Sequence, residues 1–312
     1  MAACCTELTD DRAQEFFDSF DTVLFDCDGV IWTAKSAIPG AQETLKKLRD
    51  LGKHVIFITN NSTKSRIQYA KRFTDFGLGK VSVDDIFCTA YAAAHYLKET
   101  LKFEGKVYLI GESGLEEELK LHNISYTGPG PDPVVGTQQD WLQIPLDPEV
   151  NAVCVGFDRE FTYMKILRAV SYLNKPNVPF IGTNSDCRFP PHADIGIVLP
   201  GTGCIINAVK TAALRDPILV GKPNKYLFEC IQQRHKGVVA DRTLIVGDSL
   251  GTDILLGRNC GMKTLFVLSG ISTLEEVRHN QASNSVEDQK RVPDFYLPSI
   301  KELGDLMSKI KL

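Results

Sequence analysis

The chain has 312 residues, 43% hydrophobic and 24% charged, with a formal charge of −4 and a pI near 5.9. That composition excludes a disordered or solenoid chain, and without a basic excess there is no general field to draw nucleic acid or an anionic membrane. Nine cysteines, an odd number with no C-x-x-C pair, argue against a disulfide scaffold and against a zinc site built on them.

The N-terminal stretch MAACCTELTDDRAQEFF has no apolar signal core, no glycine after Met and no arginine-rich presequence, and no apolar run approaches the length of a membrane span. The expectation is a cytoplasmic protein with no membrane partner. At this length, two lobes or a core with a large insertion is the better starting point.

The first apolar run is TVLF, 22–25, and directly after it stand Asp26 and Asp28. AQETLKKLRDLG, 41–52, places Leu45, Leu48 and Leu51 near one helical face and ends on a glycine suited to the C′ position. HVIFI, 54–58, is the second run, followed by Thr59, Asn60 and Asn61; RIQYAKRFTDFG, 66–77, then repeats the helix-to-glycine pattern. A third run, PILV at 217–220, leads into Gly221 and Lys222. A fourth, TLIV at 243–246, leads into Gly247 and Asp248, with Asp253 a turn later, and KTLFVL at 263–268 is the fifth.

Apolar runs of this length, alternating with helices, predict an α/β fold with a doubly wound parallel sheet, a Rossmann-like core. Between the second and third runs lies a second set of elements: KVYLIG, AVCVGFD, FTYMKILRAVSYLNK, PFIGTN and GTGCIINAVKTAALRD, with a Gly/Pro-rich loop GPGPDPVVGTQQ at 128–139. The predicted division is a core of residues 1–100 and 217–312 carrying an inserted α/β cap, 101–216.

In a doubly wound sheet, ligands bind beyond the carboxyl ends of the strands. The strand ends here supply acids (Asp26, Asp28, Asp248, Asp253), a hydroxyl (Thr59), amides (Asn60, Asn61) and one ammonium (Lys222). Crowded carboxylates raise one another's pKa, and a hard divalent cation such as Mg²⁺ would offset the repulsion. Lys222 and the Thr/Asn donors then complete a cradle for a phosphate group. Asp26 and Asp28, at i and i+2, leave an extended strand on one side, so one can act as nucleophile while the other handles protons. Residue types alone do not say which is which.

Asp26-Cys27-Asp28-Gly29-Val30, Thr59, Lys222 in GKP, and the pair Asp248/Asp253, in that order at strand ends, resemble the four signatures of the haloacid-dehalogenase-like phosphatases. FITNNSTKSR, VGFDREFTYMK, GTGCIINAV, GKPNKYLFECI and VPDFYLPSI extend the likeness over nearly the whole chain. They look like the branch of animal phosphoglycolate or glycerol-3-phosphate phosphatases, which carry a large α/β cap. The resemblance implies that Asp26 forms an aspartyl phosphate and that Asp28, held neutral, protonates the leaving alkoxide and later deprotonates water. It further implies Mg²⁺ held by Asp26, the Asp28 carbonyl and Asp248, a small phosphate monoester as substrate, and a homodimer formed through the cap. Pyridoxal 5′-phosphate and phosphoproteins are the alternative substrates, and a phosphomutase or a binding protein without turnover are the more remote readings.

Other features receive plainer readings. Ser249 and Gly251 stand where that pattern has a basic and an acidic residue, which bears on tuning of the metal rather than on its ligands. Cys27, between two acids, is a spacer, since its neighbours disfavour a thiolate. GTG at 201–203 lacks the third glycine of a dinucleotide fingerprint and is read as a helix start or hinge; no P-loop sequence occurs. The stretch 182–201 carries Arg188, His192 and Asp194, and Arg188 is the candidate for substrate choice, as the natural partner of a carboxylate or phosphate.

Overall fold

A computed structural model describes residues 4–189 and 196–310, and the chain divides into two compact units. The first comprises residues up to Thr59, Tyr69–Phe87 and everything from Lys222 onward; the second comprises Asn60–Gln68 and Cys88–Gly221. In chain order the strands are β1 (Thr6–Glu7), β2 (Thr22–Asp26), β3 (His54–Thr59), β4 (Ile86–Cys88), β5 (Lys106–Ile110), β6 (Ser125–Thr127), β7 (Val150–Val155), β8 (Phe180–Gly182), β9 (Ile218–Leu219), β10 (Thr243–Gly247), β11 (Lys263–Val267) and β12 (Phe295–Leu297).

The first unit is built on a seven-stranded sheet in the order β1-β12-β11-β10-β2-β3-β4, with β2 parallel to both β10 and β3. Every residue of β2 and β10 is buried, as expected of central parallel strands covered on both faces, which read as unbroken apolar runs for that reason. The helix Ala41–Asp50 buries Ala41, Thr44, Leu45 and Leu48, the i, i+3, i+4, i+7 stripe; each leucine contributes roughly 1.5–3 kcal/mol by leaving water. Gly52, at φ +73°, ends it in the left-handed conformation the C′ position favours.

The second unit has its own five-stranded parallel sheet, β6-β5-β7-β8-β9. Tyr108, Val153, Val155, Phe180, Ile206 and Val209 belong to its core, closed by the helices Tyr163–Leu173 and Thr202–Ala213. The GTG segment opens the second of these helices, with Gly201 as its N-cap.

PILV belongs here and not, as expected, to the catalytic sheet. Its Ile218 and Leu219 pair with Ile181 and Gly182 as the edge strand β9. The missing side chain of Gly182 lets Leu219 and Ile206 close over the backbone. An apolar run reports that a strand is buried but not which sheet buries it.

Candidate active site

β2 ends on Asp26, and its neighbours β10 and β3 end on Gly247 and Thr59, so the parallel register brings these strand ends to one edge of the first unit. Lys222 Nζ lies 2.6 Å from Asp26 Oδ1 and 2.6 Å from Asp253 Oδ1. Asp26, Asp248 and Asp253 each offer a carboxylate oxygen within 4.8 Å of the others. All four residues are buried, and Thr59 is buried at the end of the adjacent strand.

Three carboxylates and one ammonium leave these four groups with two negative charges in excess. Burial pushes the Asp26 carboxyl well above its ordinary range, opposed by Lys222 and reinforced by Asp253 and Asp248. Burial and the Asp253 charge push Asp248 up to about 7. Burial alone would lower Lys222, but Asp253 and Asp26 more than reverse that and raise it. Hard oxygens, buried and short of positive charge, fit a divalent cation of the Mg²⁺ or Ca²⁺ kind.

The supporting shell is specific. Asp248 Oδ2 accepts from the Ile271 N–H at 2.9 Å, and Asp253 Oδ2 from the Ser249 N–H at 3.2 Å. Gly29, at φ +85°, and Gly270 both leave the space in which the Asp248 carboxylate lies; a methyl group at either would overlap it. Ser269 Oγ donates to the Gly29 carbonyl at 2.7 Å and ties the two loops together.

Asp28 Oδ1 accepts from the Trp32 indole N–H at 3.0 Å. The backbone turns back at once after β2, with the Gly29 N–H on the Trp32 carbonyl at 2.7 Å. Trp32 is itself fixed by Tyr69, stacked at 6.2 Å, and by the edge of Phe73 at 4.7 Å. Cys27 is buried, and burial together with Asp26 and Asp28 raises its thiol well above the ordinary value, in keeping with a spacer.

Asn60, Asn61 and Arg188 belong to the second unit. Asn60 Nδ2 donates to Asp186 Oδ2 at 3.0 Å, and the Asn60 carbonyl accepts from Thr89 and Asn184 at 2.6 and 2.7 Å. Asn61 Oδ1 accepts from the Thr63 N–H at 2.9 Å, a local turn. Arg188 is exposed and forms an antiparallel bridge with Pro200; His192 and Asp194 lie outside the described residues.

Reading strand ends stopped one strand short: the segment after β11, Ser269-Gly270-Ile271, holds Asp248 in place, and the same rule applied to KTLFVL points to it. Trp32 carries a weaker signal, four residues beyond Asp28 in a chain with two tryptophans.

A parallel α/β sheet gathering aspartates and one lysine past its strand ends has the arrangement of an aspartate-dependent α/β hydrolase. Residues 23–125 match the family model described as Haloacid dehalogenase-like hydrolase, and residues 219–303 the one described as HAD-hydrolase-like. The chain is 44% identical to the glycerol-3-phosphate phosphatase of Homo sapiens, over 96% of this chain and 95% of that one. It is 38% identical to phosphoglycolate phosphatase 2 of Arabidopsis thaliana, over 96% and 97%. Among solved structures, the p-nitrophenyl phosphatase from Archaeoglobus fulgidus superposes with a TM-score of 0.76 at 30% identity, covering 92% of this chain and 99% of that one. The chain belongs to the haloacid dehalogenase-like hydrolases, and it is a phosphatase. Among the described residues no helix is long and apolar enough to cross a membrane.

Proposed function

We propose that the chain hydrolyses small anionic phosphate monoesters in the cytoplasm, with Mg²⁺ as cofactor and an aspartyl phosphate on Asp26 as intermediate. The observation that carries this reading is the buried group Asp26, Asp248 and Asp253 gathered around Lys222, two positive charges short of neutrality with a dianionic substrate still to come. Mg²⁺ would be held by Asp26, the Asp28 carbonyl and Asp248, and when bound it offsets charge on the transferring phosphoryl oxygens.

The Asp26 carboxylate attacks phosphorus, and the new bond forms as the bond to the ester oxygen breaks. Asp28 gives that oxygen a proton. Trp32 donates to Asp28 Oδ1 and keeps that carboxyl oriented. Asp28 then takes a proton from water, whose oxygen attacks the acyl phosphate, releasing phosphate and restoring the Asp26 carboxylate. Lys222 keeps Asp26 oriented, Asp253 keeps Lys222 in place, and Thr59, Asn60 and Asn61 are assigned to phosphate oxygens.

The division expected from the sequence, a cap of 101–216 in a core of 1–100 and 217–312, shifts at its edges to a second unit of Asn60–Gln68 and Cys88–Gly221, which acts as the inserted cap and provides a homodimer contact and the specificity residue Arg188. Glycerol 3-phosphate and 2-phosphoglycolate are the favoured substrates, supported by relatives named for each. Phosphate release from a panel of monoesters tests this. The expected result is a kcat/KM for one of these two above that for pyridoxal 5′-phosphate, with turnover lost in EDTA and restored by Mg²⁺. Arg188→Ala is expected to lower phosphoglycolate turnover selectively, leaving 4-nitrophenyl phosphate little changed. A preference for pyridoxal 5′-phosphate overturns the substrate reading, and full turnover in EDTA overturns the Mg²⁺ reading.

A further inference from the structure

At the opposite end of the catalytic sheet three side chains converge that the phosphatase chemistry does not use. His54 is the first residue of β3, Asp85 closes the short turn Val83–Asp85 just ahead of β4, and His235 caps the helix Tyr226–Arg234. β3 and β4 are neighbours, so these are amino ends of strands whose partners' carboxyl ends carry the acids. The six residues of β3 put His54 roughly 17 Å from Thr59.

His54 Nε2 lies 3.0 Å and His235 Nε2 3.5 Å from the same oxygen, Asp85 Oδ1. The two imidazole rings meet edge to face with centroids 4.6 Å apart. Four ligands around Zn²⁺ at about 2.0–2.1 Å stand about 3.3 Å from one another, and the two separations bracket that edge. With each imidazole protonated on Nδ1, each Nε2 offers a lone pair, and both Nε2 atoms lie beside Asp85 Oδ1. A fourth donor is at hand, since the Asp84 carbonyl oxygen lies 2.9 Å from His235 Nε2.

The surroundings hold these groups in place without consuming them. The Asp84 carboxylate is taken by Arg234 at 2.7 Å, and its N–H is capped by Ser82 Oγ at 3.2 Å, which fixes the turn that presents Asp85. Arg49 interacts electrostatically with Asp85, whose charge opposes the lowering that burial imposes on the guanidinium. The three side chains are partly exposed, at 37%, 27% and 21%, so an ion has a path from solvent. Two imidazoles and one carboxylate form a borderline donor set, suited to Zn²⁺ over Mg²⁺.

We propose that His54, Asp85 and His235 form a Zn²⁺ site, separate from the catalytic carboxylates, that pins β3 and β4 to the helix following Lys222. Zinc alone is the probe, added to enzyme kept saturated with Mg²⁺. The expected result is one more equivalent of bound Zn²⁺ in the wild type than in His235→Gln, His54→Gln or Asp85→Asn, with affinity at this site weakened more than about 100-fold, since loss of a ligand exceeds loss of a supporting group. Zinc should raise the Tm of the wild type and not that of the variants. Co²⁺ in place of Zn²⁺ should show the intense visible bands of a four-coordinate ion in the wild type alone. Asp85→Asn, nearly isosteric, and Mg²⁺-dependent turnover as a check of folding keep the comparison clean. Equal zinc stoichiometry and equal Tm shifts in wild type and variants overturn the proposal, because the zinc then sits on thiols or catalytic carboxylates and the triad is an ion-paired cluster only.

Discussion

Both units bury charge, but they balance it differently. In the second unit the buried ions come in matched pairs: Arg66 with Glu118, in a two-pronged contact at 3.0 and 3.1 Å with Tyr91 under the guanidinium, and Lys165 with Asp158. In the first unit Lys222 faces three carboxylates. A matched pair is complete within the protein and serves the fold; an unmatched set keeps part of its electrostatic complement for something that arrives. The difference separates structural from functional burial without reference to any relative.

Substituting on each side of that comparison should give opposite results. Asp26→Asn removes the nucleophile and is expected to lower kcat by at least about 10⁴-fold, read as phosphate release, because a near-isosteric amide cannot form the acyl phosphate. The same change removes one surplus negative charge, so in EDTA the variant should be as stable as the wild type or more so. Turnover near the wild-type rate would remove Asp26 from its role. A loss of several kcal/mol in stability would make the site a structural one.

Glu118→Gln, in the matched pair, should do the reverse. It leaves the Arg66 guanidinium buried without its counter-charge and is expected to cost about 3–5 kcal/mol in denaturant unfolding, the usual penalty for breaking a buried pair from one side. A cost below 1 kcal/mol would mean that the Tyr91 face and surrounding dipoles satisfy Arg66 by themselves.

Acidity gives the smallest and most graded test. Asp248 is raised in the folded state to about 7, above its unfolded value, so the folded protein binds that proton more tightly. Its contribution to metal-free stability is therefore present at low pH and lost as pH rises through about 7. Metal-free protein should show a Tm that falls between pH 5 and pH 8, and saturating Mg²⁺ should abolish that fall, its affinity rising up to about tenfold per pH unit below the Asp248 pKa. A metal-free Tm that rises with pH over that window would show that the acids are already compensated within the protein.

Much of this was legible before any coordinates. Parallel strands buried on both faces are continuous apolar runs, so β2, β3, β10 and β11 announce themselves, and the residues that follow them must lie at one edge whatever connects them. Asp26, Asp28, Thr59, Asp248 and Asp253 were found that way, whereas Lys222 was reached through PILV, a run that belongs to the other sheet. Trp32 and the Ser269–Ile271 segment were harder, because a hydrogen-bond donor that supports a carboxylate needs no charge and leaves little mark in composition.

Sequence by itself determined the strands β2, β3, β10 and β11, the acids at strand ends and the family, since these depend on local periodicity and on residue identity at fixed offsets. Tertiary structure alone decided that PILV joins the second sheet, that residues 60–68 go with the second unit, and which buried ions are matched. It alone brought His54, Asp85 and His235 to one oxygen. Each of these is a matter of pairing between segments far apart in the chain, and a residue's sequence neighbourhood carries no record of the partner that long-range packing supplies.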